Sequence, residues 1–545
     1  MILWLILGCR SEPVDKITTD DTIINEDTAD TVNDDTTDPV DTEDSIDTGD
    51  TIVDADNDGS PASLDCDDTN PLVSPEKPEL CHDTTDSNCD GELDWDKCDL
   101  SISLAHTIEG SIPEGGFGRQ AKVVPVTSNT TNIPFDTIMI SANFVDSGQI
   151  YGFLQTELLS ATQDTDASIQ WTQQNAQMYG TLILSATKIR HSDLNGDGQN
   201  DLIVTAPSSP NSIGQIHIYN GPFNIEALPE NTNSSLYWSE DPDVGRSVEL
   251  IDWNNDNMMD IMVGNNRFDE NGTDSGAVKI HLSSTESGLF DLDSALTLHG
   301  ENTTDLFGTT IRNLGDLNND GFDDMAISSL RAISSSGTYH AGRVYVFMSP
   351  LTGVTSIEDR THIFEGTSEF EYLGQAIERI GDIDGDGIED ISISADGIDK
   401  KGSVYIVSGN TDDWCTTCSI NDVAMSTLVG EEENDGFGRN FLTLGDINQD
   451  GFDDFAVGTK SANVGALDTG AVYIYYGPLS GRYDGQYHTR ISGDVESAQI
   501  SISMNTIMLD EDALPDLLIG GRMEAGMVDE GRLHILYGKD ILHHE

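Results

Sequence analysis

Asp382-Ile383-Asp384-Gly385-Asp386-Gly387-Ile388-Glu389-Asp390 is the stretch from which the fold is legible. Oxygen-bearing side chains at its first, third, fifth and ninth positions can converge on one hard cation, and the glycine at the sixth permits a left-handed turn. Near-copies return at Asp193 to Asp201, Asp252 to Asp260, Asp316 to Asp324 and Asp446 to Asp454. An EF-hand opens in the same way but needs a bidentate Glu at position twelve. These loops place Val204, Val263, Ile327, Ile393 and Val457 there. Each loop runs directly into a short, branched, apolar segment such as Asp390-Ile391-Ser392-Ile393, which has the composition of a buried strand. The loops therefore join strand to strand.

The last Asp of each loop recurs at intervals of 59 to 66 residues, a period that, in a chain of strands, points to a propeller. Upstream of each loop a glycine follows an apolar or aromatic residue: Tyr179-Gly180, Val244-Gly245, Phe307-Gly308, Leu373-Gly374 and Phe437-Gly438. Downstream lies a buried strand and then a Gly-led strand, as in Gly342-Arg343-Val344-Tyr345-Val346-Phe347. Four strands per unit result. A unit on each side lacks a full loop. The first holds Ser128, Thr130 and Asn132 at ligand positions, and the last has Met508 at position one and Ala513 at the glycine, although Asp510, Asp512 and Asp516 remain. Little or no ion binding is expected in either. The last unit ends one strand short, and Ser101 to Ile108 is spare, so pairing of the two chain ends would shut the ring and remove two free edges. The expected fold is all-β: a seven-bladed β-propeller of four-stranded blades closed by its N- and C-terminal strands.

Phe-Gly, the acidic loop and the Gly-led strand together resemble FG-GAP repeats, the units of the integrin α-subunit propeller and its bacterial relatives. The resemblance covers residues 100–545. It implies calcium held by Asp193, Asn195, Asp197 and Asp201; by Asp252, Asn254, Asp256 and Asp260; and by Asp316, Asn318, Asp320 and Asp324. Two further sets are Asp382, Asp384, Asp386 and Asp390, and Asp446, Asn448, Asp450 and Asp454. In the Asp252 loop Asn257 replaces the glycine, a substitution that the left-handed region tolerates.

The chain has 545 residues and a formal net charge of −73, which disfavours nucleic acid and anionic membrane surfaces as partners and suits divalent cations. Residues 54–99 concentrate Cys66, Cys81, Cys89 and Cys98 among many Asp in a segment too small for a strong core, so disulfides are expected, with three pairings open. No C-x₂-C pair favours zinc there. Asp54, Asp56 and Asp58 repeat the loop opening, and Asp65 and Asp67 flank Cys66; the order of these motifs resembles the MopE-like metal-binding module of secreted bacterial proteins. Hard oxygen ligands favour calcium in this module too. Cys415 and Cys418 lie in a connection without a thioredoxin-like βαβ pattern, so a small loop disulfide is expected.

Residues 10–53 are Asp-, Thr- and Glu-rich with almost nothing to bury, the composition of an extended, disordered linker. Before them, Met1 to Cys9 is a short apolar run that resembles the signal peptide and lipobox of bacterial lipoproteins. That resemblance implies Cys9 as the lipidated residue, the lipid as the sole membrane attachment, and an outer-membrane or cell-surface location, with secretion as the alternative.

No G-x-S-x-G elbow, H-E-x-x-H, P-loop or kinase motif is present. Gly116-Phe117-Gly118-Arg119-Gln120-Ala121 matches a dinucleotide fingerprint in letters only, because no βα unit precedes it. The expected function is non-enzymatic: a monomeric, calcium-stiffened adhesion module for a surface protein or glycan. The alternative is a propeller-type polysaccharide lyase or other glycan-active enzyme.

Overall fold

The computed structural model describes residues 98–542 except 113–115, 128–133, 143–148, 168, 173–182, 185–192, 198–200, 207–214, 221–233, 238–245, 284–295, 398–400, 511, 513 and 523–529. Cys9, the linker, Asp54, Asp56, Asp58, Asp65, Asp67, Cys66, Cys81 and Cys89 lie outside the described residues, as do Ser128, Thr130 and Asn132.

Seven sheets follow one another along the described chain, giving an all-β, propeller-like fold. The fourth shows the plan. Phe307–Gly315, Asp324–Ser329, Arg343–Phe347 and His362–Glu365 run antiparallel in that order. The first sheet uses Phe117–Thr127, Pro134–Ala142, Gln149–Leu154 and Ile169–Thr172. The second uses Ile183–Leu184, Leu202–Ala206, Gln215–Tyr219 and Ser234–Tyr237, and the third Ser247–Ile251, Asp260–Asn265, Ala277–His281 and Leu296–His299. The fifth is Leu373–Gly381, Asp390–Ala395, Ser403–Val407 and Ala424–Val429. The sixth is Asn440–Gly445, Asp454–Thr459, Ala471–Tyr475 and Thr489–Ser492. The seventh has Ser503–Ile507, Asp516–Gly521 and Arg532–Leu536.

The second strand of the third to seventh sheets is buried at all six positions, because a neighbouring sheet packs on each face. Shared apolar clusters mark these junctions. Met262 and Val278 of the third sheet meet Phe307 and Ile327 of the fourth, and Leu518 and Leu533 of the seventh meet Phe117 and Ile138 of the first.

The glycine that heads a third strand is explained at the same junctions. A Cβ on Gly276 would stand 2.1 Å from the Phe307 carbonyl oxygen of the next sheet, and one on Gly531 would stand 2.1 Å from that of Phe117. Both residues have positive φ, 85° and 80°. The third-strand glycine of one unit is thus the seat for the Phe-Gly backbone of the next, and a side chain would hold the sheets apart. At the junction of sixth and seventh sheets the backbone seated against Gly470 belongs to Ile500, and Ser501 follows it with φ of 73°. Ile500-Ser501 therefore takes the Phe-Gly place in the last unit, unsignalled by sequence because neither letter of the motif survives.

The tyrosine two residues into most third strands has a related role. Tyr345 donates to Glu301 (3.1 Å), Tyr405 to Glu371 (2.7 Å) and Tyr473 to Glu431 (2.8 Å), each carboxylate lying in the connection that enters the sheet.

The chain ends do pair, in a form different from the single spare strand expected over Ser101 to Ile108. His106–Glu109 pairs antiparallel with Arg532–Leu536 and supplies the fourth strand of the seventh sheet. Cys98–Ser101 instead adds to the sixth sheet, parallel to Thr489–Ser492. A 3₁₀ turn over Ile102–Leu104 separates the two, with buried Ile102 filling the junction and Ser101 Oγ accepting the Ser103 amide (3.2 Å). The same clasp recurs twice. Thr417–Ser419 lies parallel on the outer strand of the fourth sheet, and Gly481–Asp484 on that of the fifth. In each case the chain pairs with the previous sheet just before forming its own outer strand, which covers an exposed edge. The expected Cys415–Cys418 disulfide is present and sits in one of these clasps.

Replacing Gly531 by Ala forces a methyl into the Phe117 backbone at a left-handed position, a cost of about 2–5 kcal/mol. Gly353, with nothing within 4 Å of its Cβ position, is the control. Denaturant midpoints should fall for Gly531→Ala and stay for Gly353→Ala; equal midpoints would show that the seam between first and last sheets is not tight.

Candidate metal centres

Each acidic loop links the first strand of a sheet to the second, so all of them emerge on one face of the sheets. Their ninth residue begins the second strand, or at Asp201 immediately precedes it. Asp201, Asp260, Asp324, Asp390, Asp454 and Asp516 are completely buried. In five of them each carboxylate oxygen accepts a backbone amide. Asp324 takes those of Leu317 (3.0 Å) and Ser349 (2.7 Å), Asp390 those of Ile383 (2.8 Å) and Gly409 (2.9 Å), and Asp454 those of Ile447 (2.9 Å) and Gly477 (2.9 Å). Asp260 and Asp516 repeat the pattern with Trp253 and Ser283, and with Leu509 and Gly538. The ninth residue therefore staples the start of its loop to the end of the third strand. Burial pushes Asp260, Asp390 and Asp454 up to about 7; neighbouring loop carboxylates add to the rise and the amide bonds oppose it.

The first, third and fifth positions shape the loop through short-range turns. Asp382 accepts the Gly385 (2.7 Å) and Gly387 (2.9 Å) amides, Asp384 that of Asp386 (3.0 Å), and Asp386 that of Ile388 (2.8 Å). The Asp316 and Asp446 loops repeat this, with Asn318 and Asn448 at position three. In the Asp193 loop, Asp193 and Asn195 both accept the Asp197 amide. The sixth position is left-handed in each loop where it is described: Gly321 (φ 93°), Gly387 (89°) and Gly451 (99°). Asn257 adopts it as well, with φ of 66°, so the asparagine replaces the glycine without changing the turn. The fourth position is also left-handed, at Asn255 (60°), Asn319 (55°), Gly385 (81°) and Gln449 (62°). That requirement left no single-letter signature in the sequence.

One oxygen each of Asp382, Asp384 and Asp390 lies within 4.8 Å of the other two, and only in this loop do three carboxylate oxygens come so close among the described residues. The Asp252, Asp316 and Asp446 loops have Asn at position three, so their third oxygen is an amide carbonyl. These donors are hard oxygens, with two or three carboxylates confined to one turn, which suits a divalent cation of the calcium type. Such an ion would neutralise the mutual repulsion of carboxylates that here rely on amide donors and, at Asp320, on the Ser349 hydroxyl (2.9 and 2.8 Å).

The degenerate loops behave differently. In the last unit Lys539 Nζ lies 3.1 Å from Asp510 and Met508 stands half exposed where position one should supply an oxygen, while Asp512 keeps the amide bond of the intact loops, to Leu514 (2.9 Å). Its Asp516 staple nevertheless remains. The ninth residue thus serves the fold even where the position-one ligand has gone and Lys539 pairs with position three. In the first unit the ladder continues to Thr127 opposite Pro134, six residues further along the first strand than the Ala121–Ile140 pair, and absorbs what would otherwise be loop.

Comparison with known proteins agrees with this geometry. FG-GAP-like and FG-GAP repeats match residues 193–263, 307–347 and 437–475, and the Cu-binding MopE family, a metal-binding motif, matches residues 65–94. The chain carries FG-GAP repeats preceded by a MopE-like metal-binding motif. Among its relatives are integrin alpha-V of Gallus gallus, 29% identical over 218 residues (38% of this chain, 19% of the integrin), and integrin alpha-8 of Homo sapiens, 28% identical over 242 residues (43% and 21%). The chain thus spans about a fifth of the length of these relatives. A solved structure titled Dos1 propeller aligns over 80% of this chain and 96% of its own, at 10% identity and a TM-score of 0.39.

Asp516→Ala orphans two buried amides, at about 1–3 kcal/mol each. The loss should be equal in calcium and in excess chelator, since this loop has no oxygen at position one and Lys539 is paired with Asp510. Asp386→Ala should cost stability mainly when calcium is present. A loss at Asp516 that disappears in chelator would show that its carboxylate works through an ion.

Proposed function

We propose that the chain is a calcium-binding, non-enzymatic binding module displayed at a bacterial cell surface. In this reading the seven sheets are the blades of one closed propeller, and calcium occupies the Asp193, Asp252, Asp316, Asp382 and Asp446 loops. The observation that carries the proposal is the repetition of a single oxygen-rich turn, with the same staple and the same left-handed residues, on one face of successive sheets. Ring closure is supported by charges on the first strands. Arg312 of the fourth sheet pairs with Glu249 of the third (2.9 Å) and Glu378 of the fifth (2.8 Å). Lys122 of the first sheet, lowered chiefly by burial, is raised in turn by the same Glu378 and Glu249. These couplings, with the packing of Gly531 of the seventh sheet against Phe117 of the first, support placing the first strands of the sheets around one channel.

The role of calcium would be mechanical. Each ion would cross-link a loop whose carboxylates otherwise repel, so that binding free energy becomes folding free energy. Kinship with integrin α subunits supports a surface location and a ligand that is held without being cut. Among the described residues no helix is long and apolar enough to cross a membrane. Attachment through lipidated Cys9 and an extended stalk over residues 10–53 would then present the propeller, and the cysteine-rich segment would hold a further metal through Asp54, Asp56, Asp58, Asp65 and Asp67 with disulfides among Cys66, Cys81, Cys89 and Cys98. The partner would be a surface protein or glycan, engaged by a monomer.

Calcium at a hundred times its dissociation constant adds about 2.7 kcal/mol per site, so the melting temperature should fall markedly in excess chelator and recover with calcium but not with sodium. Equilibrium dialysis should return about five propeller ions. An identical melt with and without chelator would remove the calcium reading, and release of unsaturated sugars from a polysaccharide panel would remove the non-enzymatic one.

A further inference from the structure

The acidic loop of the sixth sheet reaches over that of the fifth through its seventh and eighth residues, Phe452 and Asp453. The Asp453 amide donates to the Asp382 carbonyl (3.0 Å), and the Asp382 amide donates in return to Asp453 Oδ2 (2.9 Å). Asp382 holds the first ligand position of its loop, so both backbone polar groups of that residue are fixed by the neighbouring loop. Gly381 makes room for this bond. It has φ of 90°, and the Asp453 carboxylate fills the space that a Cβ there would need. Phe452 acts likewise at the fourth position, where a Cβ on Gly385 would stand 2.6 Å from its ring. Buried Ile383, the second residue of the same loop, shares an apolar cluster with Phe455 and Tyr475 of the sixth sheet.

The other junctions differ at the eighth residue. Between the second and third sheets the Met259 amide donates to the Asp193 carbonyl (3.1 Å), again from position eight to position one, but methionine offers no carboxylate for the return bond. Between the third and fourth, Asp323 accepts Asn313 Nδ2 of its own sheet (2.8 Å). Between the fourth and fifth, Glu389 pairs with Arg379 of its own first strand. The Arg379 guanidinium lies against Gly315, 3.0 Å from the Cβ position, and a cavity of about 250 Å³ lined by Asp316, Asn319, Ile388 and Glu389 opens between the two loops. Between the sixth and seventh the eighth residue is Pro515, which has no amide to donate, and nothing lies within 4 Å of a Cβ on Gly445. The reciprocal pair of bonds thus joins the fifth and sixth loops, with a cavity at the next junction back.

We propose that Asp453 couples the Asp382 and Asp446 loops, so that they take up calcium as a cooperative pair while the Asp316 loop, across the cavity, fills independently. This rests on the calcium reading above and adds to it how the sites are linked. Asp453 stands outside the ligand pattern of positions one, three, five and nine, but between two members of it, Asp450 and Asp454. An ion drawn to those two carboxylates would fix the short stretch between them and set Phe452 and Asp453 against the fifth sheet's loop. Ordering one loop then removes part of the entropy cost of ordering the other, which is positive coupling. Asp453 is a positioning residue in this scheme.

Hydrogen–deuterium exchange of the full chain at increasing free calcium reads each loop separately, through the amides of residues 316–324, 382–390 and 446–454. In the wild type the last two should gain protection over the same calcium range. Asp446→Ala/Asp450→Ala, which strips ligands from one loop, should raise the calcium midpoint of 382–390 about fivefold or more and leave that of 316–324 in place. Because coupling is reciprocal, Asp382→Ala/Asp384→Ala should shift 446–454 by the same factor. Asp453→Ala should raise the 382–390 midpoint while all three loops still gain protection, and Asp453→Asn, whose side-chain carbonyl can accept the Asp382 amide, should restore much of it. Protection of Asp454–Thr459 in excess chelator shows that a variant is folded; should a double variant fail that check, the two Asp453 variants decide. An unmoved 382–390 midpoint when the Asp446 loop no longer responds overturns the proposal, as does an equal shift in 316–324, which would make the effect one of global stability. Calcium-dependent protection absent from every wild-type loop would sink the calcium reading itself, and this proposal with it.

Discussion

Neighbouring sheets in this protein touch backbone to backbone. The carbonyl of Phe307 sits where a side chain on Gly276 would have to be, and the carbonyl of Phe117 does the same at Gly531. A contact so close can be made only by residues without a Cβ or in left-handed geometry, which is why a glycine heads the third strand and, in every unit but the last, another follows an apolar or aromatic residue at the first strand, where the last unit has left-handed Ser501. The two glycines lie far apart within a unit, yet each meets the partner glycine's neighbourhood in the adjoining unit. The complete burial of the second strands follows from that spacing, and the tyrosine–carboxylate bonds of the fourth, fifth and sixth sheets lie beside it.

The buried aspartate at the end of each acidic loop belongs to the same framework. Its carboxylate has lost water on all sides and regains two amide donors, one from its own loop and one from the end of the third strand. Removing a charge from water without partners is expensive, so the amides are what allow the residue to stay. The last unit separates this role from ion binding, because Asp516 keeps both amides where Met508 replaces the first ligand and Lys539 pairs with Asp510. An ion in the intact loops would therefore be added to a turn that is already organised.

The two faces of the sheets carry opposite chemistry. On one, carboxylates recur in every intact loop. On the other, the Tyr339 and Phe370 rings stand exposed between the fourth and fifth sheets. The clasps that cover the outer edges of the fourth, fifth and sixth sheets restrict the edge-to-edge pairing that long strands invite, so recognition falls to the faces rather than to the rim.

By itself the sequence determined the strand-rich class, the period of the units, the position of each second and third strand, and the oxygen-bearing residues of the loops. These are local: each rests on a few neighbouring residues whose spacing fixes hydrogen bonding or burial. It also showed that Asn257 could replace a glycine, since that depends on one residue's own φ. Only the tertiary structure decided that Ile500-Ser501 stands for Phe-Gly, that Cys98–Ser101 and His106–Glu109 serve different sheets, and that Asp390 and its counterparts are staples. Each of these joins residues tens to hundreds apart, and strand pairing at that range leaves no periodicity in the letters of either partner.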